Sequence, residues 1–166
     1  MTLELSLSAF TLLHVIISLA GIGSGFIVVL GLLNSKRLNG WTAIFLTTTV
    51  LTSVTGFMFP FEGFKPSYVL GVLSLLVLAV AIYSRYSRHM AGSWRSTYVI
   101  TATFALYFNC FVAIVQAFLK VPALHALAPN GNEPPFVVAQ MLLLALFVWL
   151  TYRATKQFRA APAQIT

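Results

Sequence analysis

The sequence predicts an all-α polytopic membrane bundle of five transmembrane helices, with the N-terminus outside and the C-terminus in the cytoplasm. Three observations carry that expectation. Hydrophobic residues make up 59% of the 166 residues and charged residues only 8%, whereas a water-facing domain carries roughly 25% charged residues. The apolar residues fall into five runs separated by turn and charge clusters. The basic residues sit almost entirely in alternate connections between those runs. A mean hydropathy of +0.91, with 14 Phe spread along the chain, exceeds what one core of this size can hide, so lipid must cover much of the surface.

The spans are expected at 7–33, 41–59, 67–84, 96–119 and 135–152, in a single transmembrane domain, with a basic cytoplasmic tail over 153–166. At about 1.5 Å per residue the first run is ~40 Å long, longer than the roughly 30 Å hydrocarbon layer, so it is expected to tilt. Residues 1–8 contain Glu4 and no Lys or Arg, which does not suit a cleaved signal peptide, and the first run is expected to stay as a helix. Breakers at 34–40, 60–66, 85–95 and 120–134 divide the runs. Ser67 is placed to cap span three, Pro134 and Pro135 to open span five, and Pro122 to Leu127 to form a short interfacial helix. Spans three and five lie near the lower length limit of about 17 residues, and the odd count depends on span three.

Orientation follows from loop charge, because Lys and Arg near span ends are retained on the cytoplasmic side. With the N-terminus outside, the cytoplasmic segments hold Lys36, Arg37, Arg85, Arg88, Arg95, Arg153, Lys156 and Arg159, and the outer segments only Lys65 and Lys120. Glu4, Glu62 and Glu133 also fall outside. Arg85, Arg88 and Arg95, interleaved with Tyr83, Tyr86 and Trp94, read as a topology signal in contact with anionic lipid.

Several function classes are disfavoured. The net charge of +7 is scattered over short connections and forms no aromatic-interleaved patch, so nucleic acid is not an expected partner. Motifs for zinc hydrolases, serine hydrolases, thiol redox and nucleotide binding are missing from the sequence, and an enzyme is not the favoured reading. Cys110 is the only cysteine, which leaves it as a small buried hydrophobe. Gly21 and Gly25 have small-xxx-small spacing and are expected to pack helices closely. With five spans, two equal inverted halves are not available, which disfavours a self-contained secondary transporter.

Polar residues inside spans are costly in hydrocarbon and therefore informative. His14 and Ser18 share a face with Gly21 and Gly25; Thr52 and Thr55 lie on a polar stripe of span two; Asn109 and Gln116 share a face of span four; Gln140 lies near the outer end of span five. His14, Thr55, Gln116 and Gln140 fall at similar depth, so an outer polar layer is expected that Glu62, His125 and Glu133 of the outer connections would close. Its ligand would be small and hydrophobic or weakly polar. The competing expectation is that threonines bond their own helix carbonyls and the amides bridge helices. No cofactor or metal is predicted: haem would require His125 to fold back to His14, and a quinone would need only hydrogen bonds and aromatic walls.

The runs TTTVLTSVTGFMFPF (47–61), YSRYSRHMAGSWR (83–95) and FLKVPALHALAPNGNEPPF (118–136) resemble a group of small bacterial integral membrane proteins. The resemblance implies a bacterial inner-membrane location and brings no catalytic residues with it. The expected partners are the lipid bilayer, a small hydrophobic ligand, and a second copy or another membrane subunit. An accessory or assembly role in a larger complex and a haem or quinone redox role are the alternatives to ligand binding.

Overall fold

Long apolar runs bounded by Gly, Pro and charge clusters become helices, because only a helix satisfies every backbone group without water. The structure, a computed structural model, describes residues 2–60, 63 and 66–159. Those residues form six α-helices and no strand: α1 (Thr2–Leu33), α2 (Asn39–Phe57), α3 (Pro66–Ile82), α4 (Ser93–Lys120), the short α5 (Pro122–Leu127) and α6 (Pro134–Gln157). A π-helical turn, Tyr83–Ser87, continues α3.

Four helices are long and apolar enough to cross a membrane: Ser6–Leu33, Pro66–Ser87, Ser93–Lys120 and Pro134–Gln157. The third expected span, on which the odd count rested, is among them. The helix that falls short is α2, because six Thr and one Ser stand among its 19 residues. Several boundaries also differ from expectation by one to five residues, α1 starting as early as Thr2. The third helix starts on Pro66, so Ser67 lies inside its first turn, where proline is tolerated because its missing N–H has no partner there. The last helix runs on to Gln157, past the expected end at 152, with Lys156 in the final turn where a cation complements the helix dipole.

The five long helices alternate in direction. The pairing of α1 with α2 is set by its contacts: His14 meets Thr55, Gly21 faces Thr48 and Thr49, Gly25 faces Phe45, and Gly31 faces Leu38. As the number rises along one helix it falls along the other, which is an antiparallel hairpin. Helix α4 is central, packing on α1, α3 and α6, while α2 lies between α1 and α3.

Burial is unevenly distributed along the bundle axis. Val28, Val29 and Leu32 of α1, Phe45 of α2, Leu78 and Ala81 of α3, Tyr98, Val99, Ala102, Ala105 and Leu106 of α4, Phe147, Leu150 and Ala154 of α6, and Phe158 just past it, supply most of the core. All belong to the half where α1, α3 and α6 end and α2 and α4 begin, here termed the basic end. Ala81, Ala102, Ala105 and Ala154 are fully buried there, small enough to let helix backbones approach. Toward the opposite, far end, α1 has no buried residue from Ser6 to Ala20, and α3 none from Pro66 to Leu73. Large apolar side chains also point outward, with Leu19 61%, Leu76 60% and Leu142 67% exposed. Water does not tolerate such a surface over four helices, and lipid does.

A Cβ on Gly25 would stand 2.6 Å from Leu106 Cδ1 and 2.9 Å from Phe45 Cε2, whereas one on Gly23 would meet nothing within 4 Å. Gly25→Ala is therefore expected to cost about 1–3 kcal/mol in detergent unfolding, and Gly23→Ala to be neutral or stabilising by up to about 1 kcal/mol.

Candidate functional site

At the far end the polar groups of α1 and α2 meet first. His14 Nδ1 lies 2.7 Å from Thr55 Oγ1. The Thr55 hydroxyl has one proton, and its oxygen stands 2.7 Å from the carbonyl of Leu51 and 3.2 Å from that of Thr52, the back-bonding that spares a threonine in hydrocarbon. With that proton committed to a carbonyl, Thr55 accepts and His14 Nδ1–H donates. This hydrogen-bond network assigns the Nδ1–H tautomer and leaves Nε2 with a lone pair. The ring is half-buried, edge-on to Phe59 with centroids 5.2 Å apart, and Phe59 in turn contacts Phe10 at 5.0 Å. Ser18 donates to the carbonyl of His14 at 2.7 Å, so its hydroxyl stays on its own helix.

One helical level further in, Gly21 admits α2 and α4 together. Asn109 Nδ2 donates to Thr49 Oγ1 at 3.2 Å, and a Cβ on Gly21 would stand 3.3 to 3.4 Å from Thr48, Thr49 and Asn109. Ser53 and Ser74 bridge α2 to α3 at 3.2 Å. Thr52 Oγ1 is buried without a hydrogen-bond partner.

The remaining residues of the expected outer layer do not join His14. Gln140 is buried on α6 and donates to the carbonyl of Phe111 at 3.3 Å, with its Oε1 left without a partner. Gln116 is exposed on α4, and His125 is exposed on α5. Glu133 turns onto its own loop, accepting from Asn130 N–H at 3.0 Å, Asn130 Nδ2 at 2.8 Å and Asn132 N–H at 3.1 Å. Desolvation works to raise its pKa, but these donors prevail and hold the carboxyl below the usual carboxylate range. Glu62 lies outside the described residues. Among the described residues no three His, Cys, Asp or Glu side chains come together.

The densest polar arrangement lies at the basic end, where the sequence led us to expect lipid contact. Arg85 is only 6% exposed. Its Nη2 donates to Asn39 Oδ1 at 2.6 Å and to the carbonyl of Arg37 at 3.1 Å, and its guanidinium lies 5.1 Å from the Tyr98 ring centroid. Arg85 is thus an internal tie from the end of α3 to the connection 34–38 and the start of α2, and not a lipid contact. The π turn that carries it widens the helix and turns the side chain inward. Leu38, His89 and Met90 around it adopt positive φ of 40°, 50° and 55°, which costs on the order of 1 kcal/mol or more at each. Arg95 is half-buried and donates to the carbonyls of Thr155 and Phe158 at the end of α6. Arg88 alone of the three is exposed, over the Trp94 ring at 5.3 Å. Ser35 closes the same end, accepting from Arg159 N–H at 2.9 Å.

Between α4 and α6, in the basic half, lies an apolar groove of about 360 Å³ lined by Ile100, Phe104, Tyr107, Leu144, Val148 and Tyr152, among others. Site reasoning from the sequence missed it because all its residues but Thr155 read as ordinary span; a signal is the aromatic spacing Phe104, Tyr107, Phe108, Phe111 along one side of α4. It likewise missed Asn39 and Tyr98 as partners of Arg85.

Comparison with known protein families, with curated proteins and with solved structures finds no match to this chain.

Arg85→Met would leave Asn39 Oδ1 and the Arg37 carbonyl without their donor. Hydrogen bonds from a charged donor contribute about 1.5–3 kcal/mol each, so a loss of about 3–6 kcal/mol is expected in thermal unfolding in detergent, with Arg85→Lys recovering only part because one ammonium does not reproduce the guanidinium fork.

Proposed function

We propose that this chain is a non-enzymatic, five-span protein of the bacterial inner membrane, N-out and C-in, that binds a small lipid-soluble ligand in the far half of its bundle. The carrying observation is the hydrogen-bond accounting at His14. Its Nδ1–H is held by Thr55 and its Nε2 is left as an acceptor, beside aromatic rings, where α1 and α3 have almost no buried residues. An intramembrane acceptor of this kind selects a ligand that donates, such as the hydroxyl of a phenol or hydroquinone, over one that only accepts.

What supports α2 as the fifth span is its register on α1. The two stay in contact from His14 with Thr55 to Gly31 with Leu38, which caps α2, a separation of 17 residue steps along α1 or ~26 Å, close to the roughly 30 Å hydrocarbon thickness. Two of its threonines, Thr48 and Thr55, need no water, since each back-bonds within the helix at 2.7 Å. Reporter fusions after Gly40 and Gly92 are then expected to read cytoplasmic, and fusions after Lys65 and Asn130 to read external; same-side readings at Gly40 and Lys65 would remove α2 as a span.

A second reading, an accessory subunit of a larger complex, draws on the low burial of α3 and α6, 22% and 17% over their most apolar windows. One experiment separates the two. Protein with ¹⁵N-labelled histidine is titrated in mild detergent with a decyl-substituted benzohydroquinone and with the corresponding benzoquinone. The expected result is a shift of the His14 Nε2 resonance with the hydroquinone only. His14→Asn, which retains an N–H for Thr55 but has no Nε2, is expected to abolish binding while the fold persists. Equal response to both probes, or full binding by His14→Asn, sinks the ligand reading, and a protein that is unstable without a co-purifying subunit favours the accessory one.

A further inference from the structure

The groove between α4 and α6 is a separate feature from the His14 site, and its two ends differ in chemistry. We propose that it holds one acyl chain of an anionic phospholipid whose phosphate lies against the basic end of the bundle. Its length is apolar: the hydroxyls of Thr103 and Thr151, which line it, are turned to the carbonyls of Val99 at 2.6 Å and Phe147 at 2.7 Å. Apart from the Tyr107 and Tyr152 phenols and the Thr155 hydroxyl, which is buried without a hydrogen-bond partner near the basic end, the lining is aliphatic and aromatic carbon, which suits a hydrocarbon chain. At about 360 Å³ the space falls in the roughly 300–1,000 Å³ range of small-molecule sites.

Its end is cationic. Tyr152 and Thr155 line the last part of the groove. Lys156 Nζ stands 5.8 Å over the Tyr152 ring, Arg153 is exposed beside it over Trp149, and Arg95 is fixed to the carbonyl of Thr155 at 3.2 Å. Among the described residues no carboxylate lies at this end, and Glu133 stands before α6 at the far end. An apolar trough leading to unneutralised cations matches a fatty acyl chain joined to a phosphate. A second copy of the chain fits worse, because a two-fold contact over this groove would press Arg153, Lys156 and Arg159 against their own counterparts.

Native mass spectrometry of the delipidated protein, titrated with dioleoylphosphatidylglycerol and with dioleoylphosphatidylcholine, tests the assignment. The anionic lipid is expected to be retained at least about fivefold more strongly, the contribution of a single basic residue near a lipid phosphate. Lys156→Gln is expected to lower retention of phosphatidylglycerol by about that factor and leave phosphatidylcholine unchanged. Val148→Trp, at a position 62% exposed where the bundle packing is not disturbed, fills the groove and is expected to weaken both lipids. Equal retention of the two lipids by the parent protein overturns the proposal. A phosphatidylglycerol preference undiminished by Lys156→Gln overturns the phosphate assignment, and lipid retention unchanged in Val148→Trp overturns the groove as the seat of the chain.

Discussion

A buried guanidinium with no carboxylate near it among the described residues must find its partners among dipoles, and Arg85 organises the bundle around that requirement. Desolvating a cation is expensive unless its donors are satisfied. Here the acceptors are a backbone carbonyl of the connection 34–38 and the amide oxygen of Asn39 at the start of α2, with the Tyr98 ring of α4 beneath the charge. One side chain therefore fixes where α2 begins, how α3 ends and which face α4 turns inward. The strained backbone at Leu38 lies in the connection that delivers the first of those partners, with His89 and Met90 strained in the turn that follows the arginine, and a π turn carries the arginine itself.

Arg95 and Ser35 complete the same junction from the other side. A cation in the first turn of α4 takes the terminal carbonyls of α6, the groups a helix leaves unpaired at its end. Ser35 exchanges two hydrogen bonds with the backbone of Arg159, joining the end of α1 to the end of α6. The chain thus concentrates both its best apolar packing and its cross-helix polar ties at one end. At the other end, contacts are pairwise: His14 with Thr55, Gln140 with Phe111, Phe118 with Phe136.

Much of this architecture was legible in the sequence, and the limits of that legibility have physical causes. The breakers located the long helices to within about five residues, since Gly, Pro and charge clusters act locally, and the short helix Pro122–Leu127 stood out through its flanking prolines. The composition of α2 is more ambiguous: threonine counts as polar on any transfer scale, yet back-bonded within a helix it presents little but its methyl group. The polar layer was harder still. Residue depth can be read from position along a span, but rotation about the helix axis cannot, and it is rotation that turns Gln116 outward and Gln140 toward α4. Arg85 was misplaced for a related reason, because loop charge reports which end of a helix an arginine occupies and says nothing of a π turn that redirects its side chain.

The contrast between the two ends also has a mechanical meaning. With the basic end pinned by buried polar ties, a change in bilayer thickness cannot be absorbed there. The apolar stretch of α1, 28 residues long or ~42 Å, exceeds the hydrocarbon layer and must lean, and its lean can change only by swinging the end that carries few anchors. Such a bundle behaves as a set of levers with a common pivot. The distance between helix tips around His14 is then a property of the surrounding membrane as much as of the chain.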